Sequence, residues 1–125
     1  GGVFLLDSKR LSGSVTVADG VMTVKRHDDP SLQYTHPGAG YLLGLARETH
    51  DRVRAATRLN TWIAPVMVIW ADFPQGAVEH RCAYVAGGHI AKWLRSRPPV
   101  LAQSRVPQVA NAVRAAWIEA PPQQP

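Results

Sequence analysis

The stretch Val3-Phe4-Leu5-Leu6-Asp7-Ser8-Lys9 decides how the rest of the chain is read. Four successive apolar residues predict a strand buried on both faces, and such a strand has no packing reason to end in two charges. Side chains alternate along a strand, so Asp7 and Lys9 project to one side with Cα atoms ~7 Å apart. An aspartate can hold a divalent cation, and a lysine beside it can meet developing negative charge. Together they are the equipment of metal-assisted phosphodiester hydrolysis. The plain alternative for a bare Asp-x-Lys is an ion pair capping an ordinary strand.

Outward from this stretch, Ser14-Val15-Thr16-Val17-Ala18 and Val21-Met22-Thr23-Val24-Lys25 flank Asp19-Gly20. Asp-Gly between two alternating β-branched runs is a strong hairpin signal, so three successive antiparallel strands are expected. Arg26 to Pro37 reads as loop. From Gly40 to Leu59 the apolar positions Leu42, Leu45, Ala46, Thr49, Val53 and Ala56 recur at helical spacing. Arg47 and Asp51, and Glu48 and Arg52, stand four apart and can pair. Asn60 suits the end of that helix. Val66-Met67-Val68-Ile69-Trp70 is apolar throughout and reads as a central strand.

Asp72 to Gly76 is then a loop, Arg81 to Val85 a short strand, Gly87-Gly88 a turn and Ile90 to Leu94 a short helix halted before Pro98-Pro99. Ser104 is placed to cap a last helix over 105–118, with Pro107 in its first turn and Val106, Val109, Ala110, Val113 and Trp117 as its stripe. Residues 1–120 form one domain and 121–125 a disordered tail. The fold class is α/β, a mixed central sheet flanked by helices.

A chain of 125 residues with 46% apolar content can bury its own core. No apolar run approaches the ~20 residues needed to span a bilayer, so no membrane contact is expected, and no leader pattern argues for export. The lone Cys82, among apolar neighbours, reads as a buried thiol in a reducing compartment, by default the cytoplasm. A net charge of +5, mostly from arginine, favours polyanions, and nucleic acid first.

Other candidate sites are weaker. The five histidines lack zinc-ligand spacing. Asp28-Asp29-Pro30 and His36-Pro37 are turn chemistry. Gly38-Ala39-Gly40 ahead of a helix lacks the rest of a phosphate-binding motif. Trp62, Trp70, Trp93 and Trp117 fall on or beside apolar stripes, so core packing is expected for most of them over base stacking.

The segment Gly2-Val3-Phe4-Leu5-Leu6-Asp7-Ser8-Lys9-Arg10-Leu11-Ser12-Gly13 resembles the central motif of the nuclease-related domain (NERD), a branch of the PD-(D/E)XK nuclease-like superfamily. The likeness continues in order through the hairpin, the His-Pro turn, a helix, a hydrophobic strand, a short helix and a C-terminal helix. It implies a restriction-endonuclease-like sheet in which Asp7 ligates Mg²⁺ and Lys9 positions water or stabilises the phosphate in flight. In that family a Glu-bearing helix and an Asp-bearing strand precede the motif, whereas this chain begins at the turn ahead of it. The family's Gln after the His-Pro turn has no counterpart near Tyr41.

The expectation is therefore a DNA-binding, nuclease-like domain with half of a Mg²⁺ site and weak activity. An apolar strand left with an open edge would invite self-association. The rival readings are a non-catalytic domain binding nucleic acid or protein through the same scaffold, and a truncated product with no independent role.

Overall fold

In the computed structural model, residues 2–36, 39–115 and 117 are described. They form an α/β arrangement built on one mixed sheet. Its strands are β1 (Val3–Ala18), β2 (Val21–Lys25), β3 (Gln33–His36), β4 (Ile63–Asp72), β5 (Ala77–Glu79) and β6 (Ala83–Ala86), in the order β3-β2-β1-β4-β6-β5. The helices are α1 (Ala39–Thr57), α2 (Ile90–Arg95) and α3 (Val106–Arg114), with 3₁₀ turns ahead of α2 and α3. Pro37, Gly38 and the tail over 121–125 lie outside the described residues.

The opening motif and the first hairpin strand are not two strands but one. β1 runs for 16 residues; its first half pairs in parallel with β4, and its second half pairs antiparallel with β2. The change of partner occurs at Gly13, where a Cβ would lie 2.3 Å from the Lys25 carbonyl oxygen, so only glycine lets β2 close in. Between Arg10, opposite Trp70, and Ser14, opposite Asp72, β1 advances four residues while β4 advances two. The even slip preserves alternation. Leu5, Leu11, Val15 and Val17 therefore all join the same core as Leu42, Met67 and Tyr84.

β1 outlasts β4, and two side chains complete the pairing. The Ser14 hydroxyl donates to Asp72 Oδ2 at 2.6 Å. Gln75 replaces a strand outright: its Nε2 donates to the Val17 carbonyl at 3.0 Å and its Oε1 accepts from the Val17 N–H at 2.8 Å. The hairpin turns as its sequence requires, with Asp19 and Gly20 both left-handed at φ 52° and 76°. The Tyr84 hydroxyl donates to the Gly20 carbonyl at 3.0 Å and ties the turn to the sheet.

The second core, on the opposite face, gathers Val66, Val68 and Val85 under Phe4, Ile90 and Trp93. Between the two cores β4 is buried from Pro65 to Ile69, the central strand expected. Pro65 sits inside it because β6 joins only at Val66, leaving β4 paired on one side there.

Four expectations are corrected. Val3–Leu6 is not buried on both faces; those residues are half-buried and Leu6 is 47% exposed, because the strand has β4 on one edge and no strand on the other among the described residues. No tryptophan is fully buried: Trp62, Trp70 and Trp117 are exposed and Trp93 is half-covered. Trp70 stands past the end of β6, whose last partner is Ile69, so no strand pairs beside it there and only the side-chain-free Gly87 meets its ring. Ser104 lies within the 3₁₀ turn and caps nothing; Arg105 occupies the cap position without a side-chain bond. Of the two ion pairs expected on α1, Glu48–Arg52 forms at 2.9 Å, while Asp51 faces His50.

The helix itself follows the pattern, burying Leu42, Ala46, Thr49 and Val53. It stops where Arg58 takes a left-handed φ of 65°, and Asn60 lies beyond, its Oδ1 accepting from His50 Nε2 at 2.8 Å.

Gln75→Ala removes two partners of a half-buried backbone unit and should cost about 1–3 kcal/mol in urea unfolding. Gly13→Ala should cost at least as much through forced separation of β1 and β2. An unchanged midpoint for both would contradict this account of how β1 is held.

Candidate functional site

Asp7 and Lys9 stand opposite Met67 and Ile69 of β4, on the face that also carries α1. Alternation brings them together as expected: Lys9 Nζ lies 3.3 Å from Asp7 Oδ2. What the sequence did not foretell is their setting. They interrupt an otherwise apolar row, between Leu5 and Leu11, yet their side chains keep 29% and 36% exposure. The helix explains this, because α1 packs chiefly over β4 and touches β1 much less. Two charges thus stand on a core-forming face and remain open to solvent.

Asp7 also faces inward along the sheet. Burial pushes the Cys82 thiol up, a backbone contact at Met67 opposes it, and the negative charge of Asp7 adds to the rise. Burial likewise pushes the Tyr84 hydroxyl up, with Cys82 adding to it. Asp7, Met67 and Tyr84 occupy one row across three strands. Cys82, two residues before Tyr84, is 2% exposed.

The fit to a hard cation is partial. Mg²⁺ takes oxygen ligands and is commonly held by one or two carboxylates together with phosphate oxygens and water. Asp7 supplies one carboxylate, and no group of three metal-ligating side chains occurs among the described residues. Asp28 is elsewhere, paired with Arg26, whose hydrogen bond holds its carboxyl below the usual range. Asp29 accepts from the Ser31 N–H and hydroxyl, the turn role expected of it. His36 ends β3 with a buried, unpartnered Nδ1.

The reverse face of β1 carries a group that sequence reasoning missed. The Trp70 indole N–H donates to Ser8 Oγ at 2.7 Å, and Arg10 lies directly opposite Trp70 in register. Gly87 forms the floor, since a Cβ there would lie 2.2 Å from the ring. β4 is apolar on both faces, so alternation gave no sign of this exposure. The usable signal was strand length, because β6 ends one residue before Trp70.

Comparison with protein families, with curated proteins and with solved structures finds no match for this chain.

Cys82 and Tyr84 hold their protons more tightly folded than unfolded. Their stabilising effect is therefore complete below the unfolded thiol value, about 8.5, and is lost as pH rises through the raised folded values. The urea midpoint should fall between pH 8 and 10, less steeply in Cys82→Val. A midpoint that holds or rises over that interval would contradict the burial of these groups.

Proposed function

We propose that this chain is a nuclease-related domain that engages DNA, with Asp7 and Lys9 forming part of a Mg²⁺-dependent phosphodiesterase site. The observation that carries the reading is the Asp7–Lys9 pair itself, 3.3 Å apart and solvent-accessible on a face otherwise given to the core. Its support in the fold is that the Asp-x-Lys strand lies beside a parallel strand reached through a helix. Among the described residues no strand pairs with the outer edge of that segment, the edge on which the resemblance would set an Asp-bearing neighbour.

Each side chain has a definite task in this reading. Asp7 would hold the cation, which supplies charge neutralisation at a phosphate oxygen. The Lys9 ammonium has three donors. One is turned to Asp7, which keeps the ammonium in place, and the other two remain for phosphate oxygens. Met67 and Ile69, beside them on β4, are buried apolar neighbours, which limits solvent screening and strengthens both interactions. A single carboxylate gives weak cation affinity, so slow cleavage is expected.

A second reading has its own observation. Trp70 is 46% exposed, anchored by Ser8 and adjacent to Arg10 on the reverse face, an arrangement suited to stacking on a base and pairing with its phosphate. Base–aromatic stacking contributes about 1–3 kcal/mol per base. In this reading the domain binds nucleic acid without cleaving it.

Plasmid nicking separates the two. Slow Mg²⁺-dependent nicking should fall at least tenfold in Asp7→Asn and Lys9→Ala. Cleavage unchanged in Asp7→Asn would put the chemistry elsewhere. No cleavage at any Mg²⁺ level, with affinity lost in Trp70→Ala, would favour the binding domain.

In either reading the arginine-rich surplus makes DNA affinity fall linearly on log–log axes as salt rises. Binding that ignores salt, or no binding at low ionic strength, would contradict the charge argument.

A further inference from the structure

Trp70 lies on the face of the sheet opposite Asp7 and Lys9, and its ring is held there at both ends. The indole N–H reaches Ser8 Oγ on β1 at 2.7 Å. At the benzene end, a Cβ on Gly87 would meet the ring atoms Cε3, Cδ2 and Cζ3 at 2.2, 2.3 and 2.5 Å. Distances so nearly equal place Gly87 under a ring face, since an approach in the ring plane would bring one atom much closer than its neighbours. The indole therefore lies flat across β4, from β1 to the turn that follows β6. One face rests on Gly87, and the ring is still 46% exposed. This opening is set by β6 ending opposite Ile69 and does not involve the outer edge of β1.

Charge on the same face indicates what the ring would meet. Arg10, opposite Trp70, and Lys25, opposite Ser14, are exposed and have no ion-pair partner among the described residues. Ser14 in turn stands opposite Asp72 of β4, two residues beyond Trp70. With strands about 4.8 Å apart and alternate residues about 6.8 Å apart, Lys25 lies about 12 Å from Trp70 between Cα atoms. An aromatic ring and two cations thus follow one another across three strands. The face stays open further along, where Thr16 and Thr35 are exposed.

We propose that this face binds single-stranded nucleic acid, with one base stacked on Trp70 and the backbone running over Arg10 toward Lys25. This site rests on the second reading above and is independent of Asp7 and Lys9, which point the other way. In a duplex each base face is covered by its neighbours, so a ring that stacks selects a strand whose bases are free. Every base has a π-face, so little sequence preference is expected. The guanidinium and the ammonium meet phosphate oxygens. A neutral saccharide would use the ring and leave both cations without a task.

Fluorescence anisotropy of a labelled oligothymidylate of about ten residues, a length suited to one such site, reads the binding. A long linear duplex, which offers few end faces, should compete poorly per phosphate. Trp70→Ala should weaken strand binding about five- to hundredfold, the worth of one stacked base, and Trp70→Phe less. Arg10→Ala and Lys25→Ala should each weaken it and lower the slope of log affinity against log salt by about 0.7. Asp72→Asn takes an opposing charge off the path and should tighten binding. Asp7→Asn should leave strand affinity unchanged even where it lowers nicking, which separates this site from the other face.

Strand binding unchanged in Trp70→Ala would overturn this placement while leaving nucleic-acid binding elsewhere on the chain. Equal loss in Asp7→Asn and Trp70→Ala would overturn it too, because a single site would then account for both. So would a duplex bound as tightly as the strand, or a neutral oligosaccharide that displaces the strand. No binding to either nucleic acid at low ionic strength would remove this site together with the second reading.

Discussion

Gly13 has no side chain where one would meet the Lys25 carbonyl oxygen at 2.3 Å, and the architecture follows from that contact. It lets β2 join a strand already engaged by β4, so that one strand of 16 residues serves two neighbours of opposite direction. The slip of four residues against two that accompanies the change is even, which keeps odd-numbered side chains on one face. Val15 and Val17 there build the core beneath α1, and Asp7 and Lys9 inherit the same face at the other end of the strand. Because pairing with β2 begins only at Ser14, the half that bears the charges has no strand on its outer edge among the described residues.

Much of this was legible in the residues, and the rest failed for identifiable reasons. Asp19-Gly20 demanded a tight turn and makes one. The period of Leu42, Ala46, Thr49 and Val53 marked a helical face, and those four are buried. The apolar run from Val66 to Ile69 lies between two paired strands. Asp7 and Lys9 meet because strands alternate. The continuity of β1 was hidden because Leu11-Ser12-Gly13 reads locally as a break, while its glycine serves a close approach between strands.

Tertiary context also decided the tryptophans. An indole on an apolar stripe is buried only if something covers that position, and stripe membership carries no such information. Trp70 outruns β6, and Trp62 precedes β4 and packs at its edge near His50. Trp93 is half-covered, with its ring flanked by Phe4 and by the Arg97 guanidinium 4.4 Å from its centre. Exposure of these rings turns residues that looked structural into candidates for contact. It also gives the reverse face of β1 a chemistry distinct from that of the Asp7–Lys9 face.

The central claim is that Asp7 and Lys9 form a ligand site, and paramagnetic relaxation tests it most directly. Mn²⁺ substitutes for Mg²⁺ in oxygen-ligand sites and broadens nearby amide signals even when it binds weakly. Titrating Mn²⁺ into the isotope-labelled chain should broaden the amides of Leu6, Ser8 and Met67 first, and the same residues should be spared in Asp7→Asn. Broadening centred on Asp28 or Glu79, or a pattern unchanged in Asp7→Asn, would contradict the claim and leave Asp7 and Lys9 as an ion pair on an open strand.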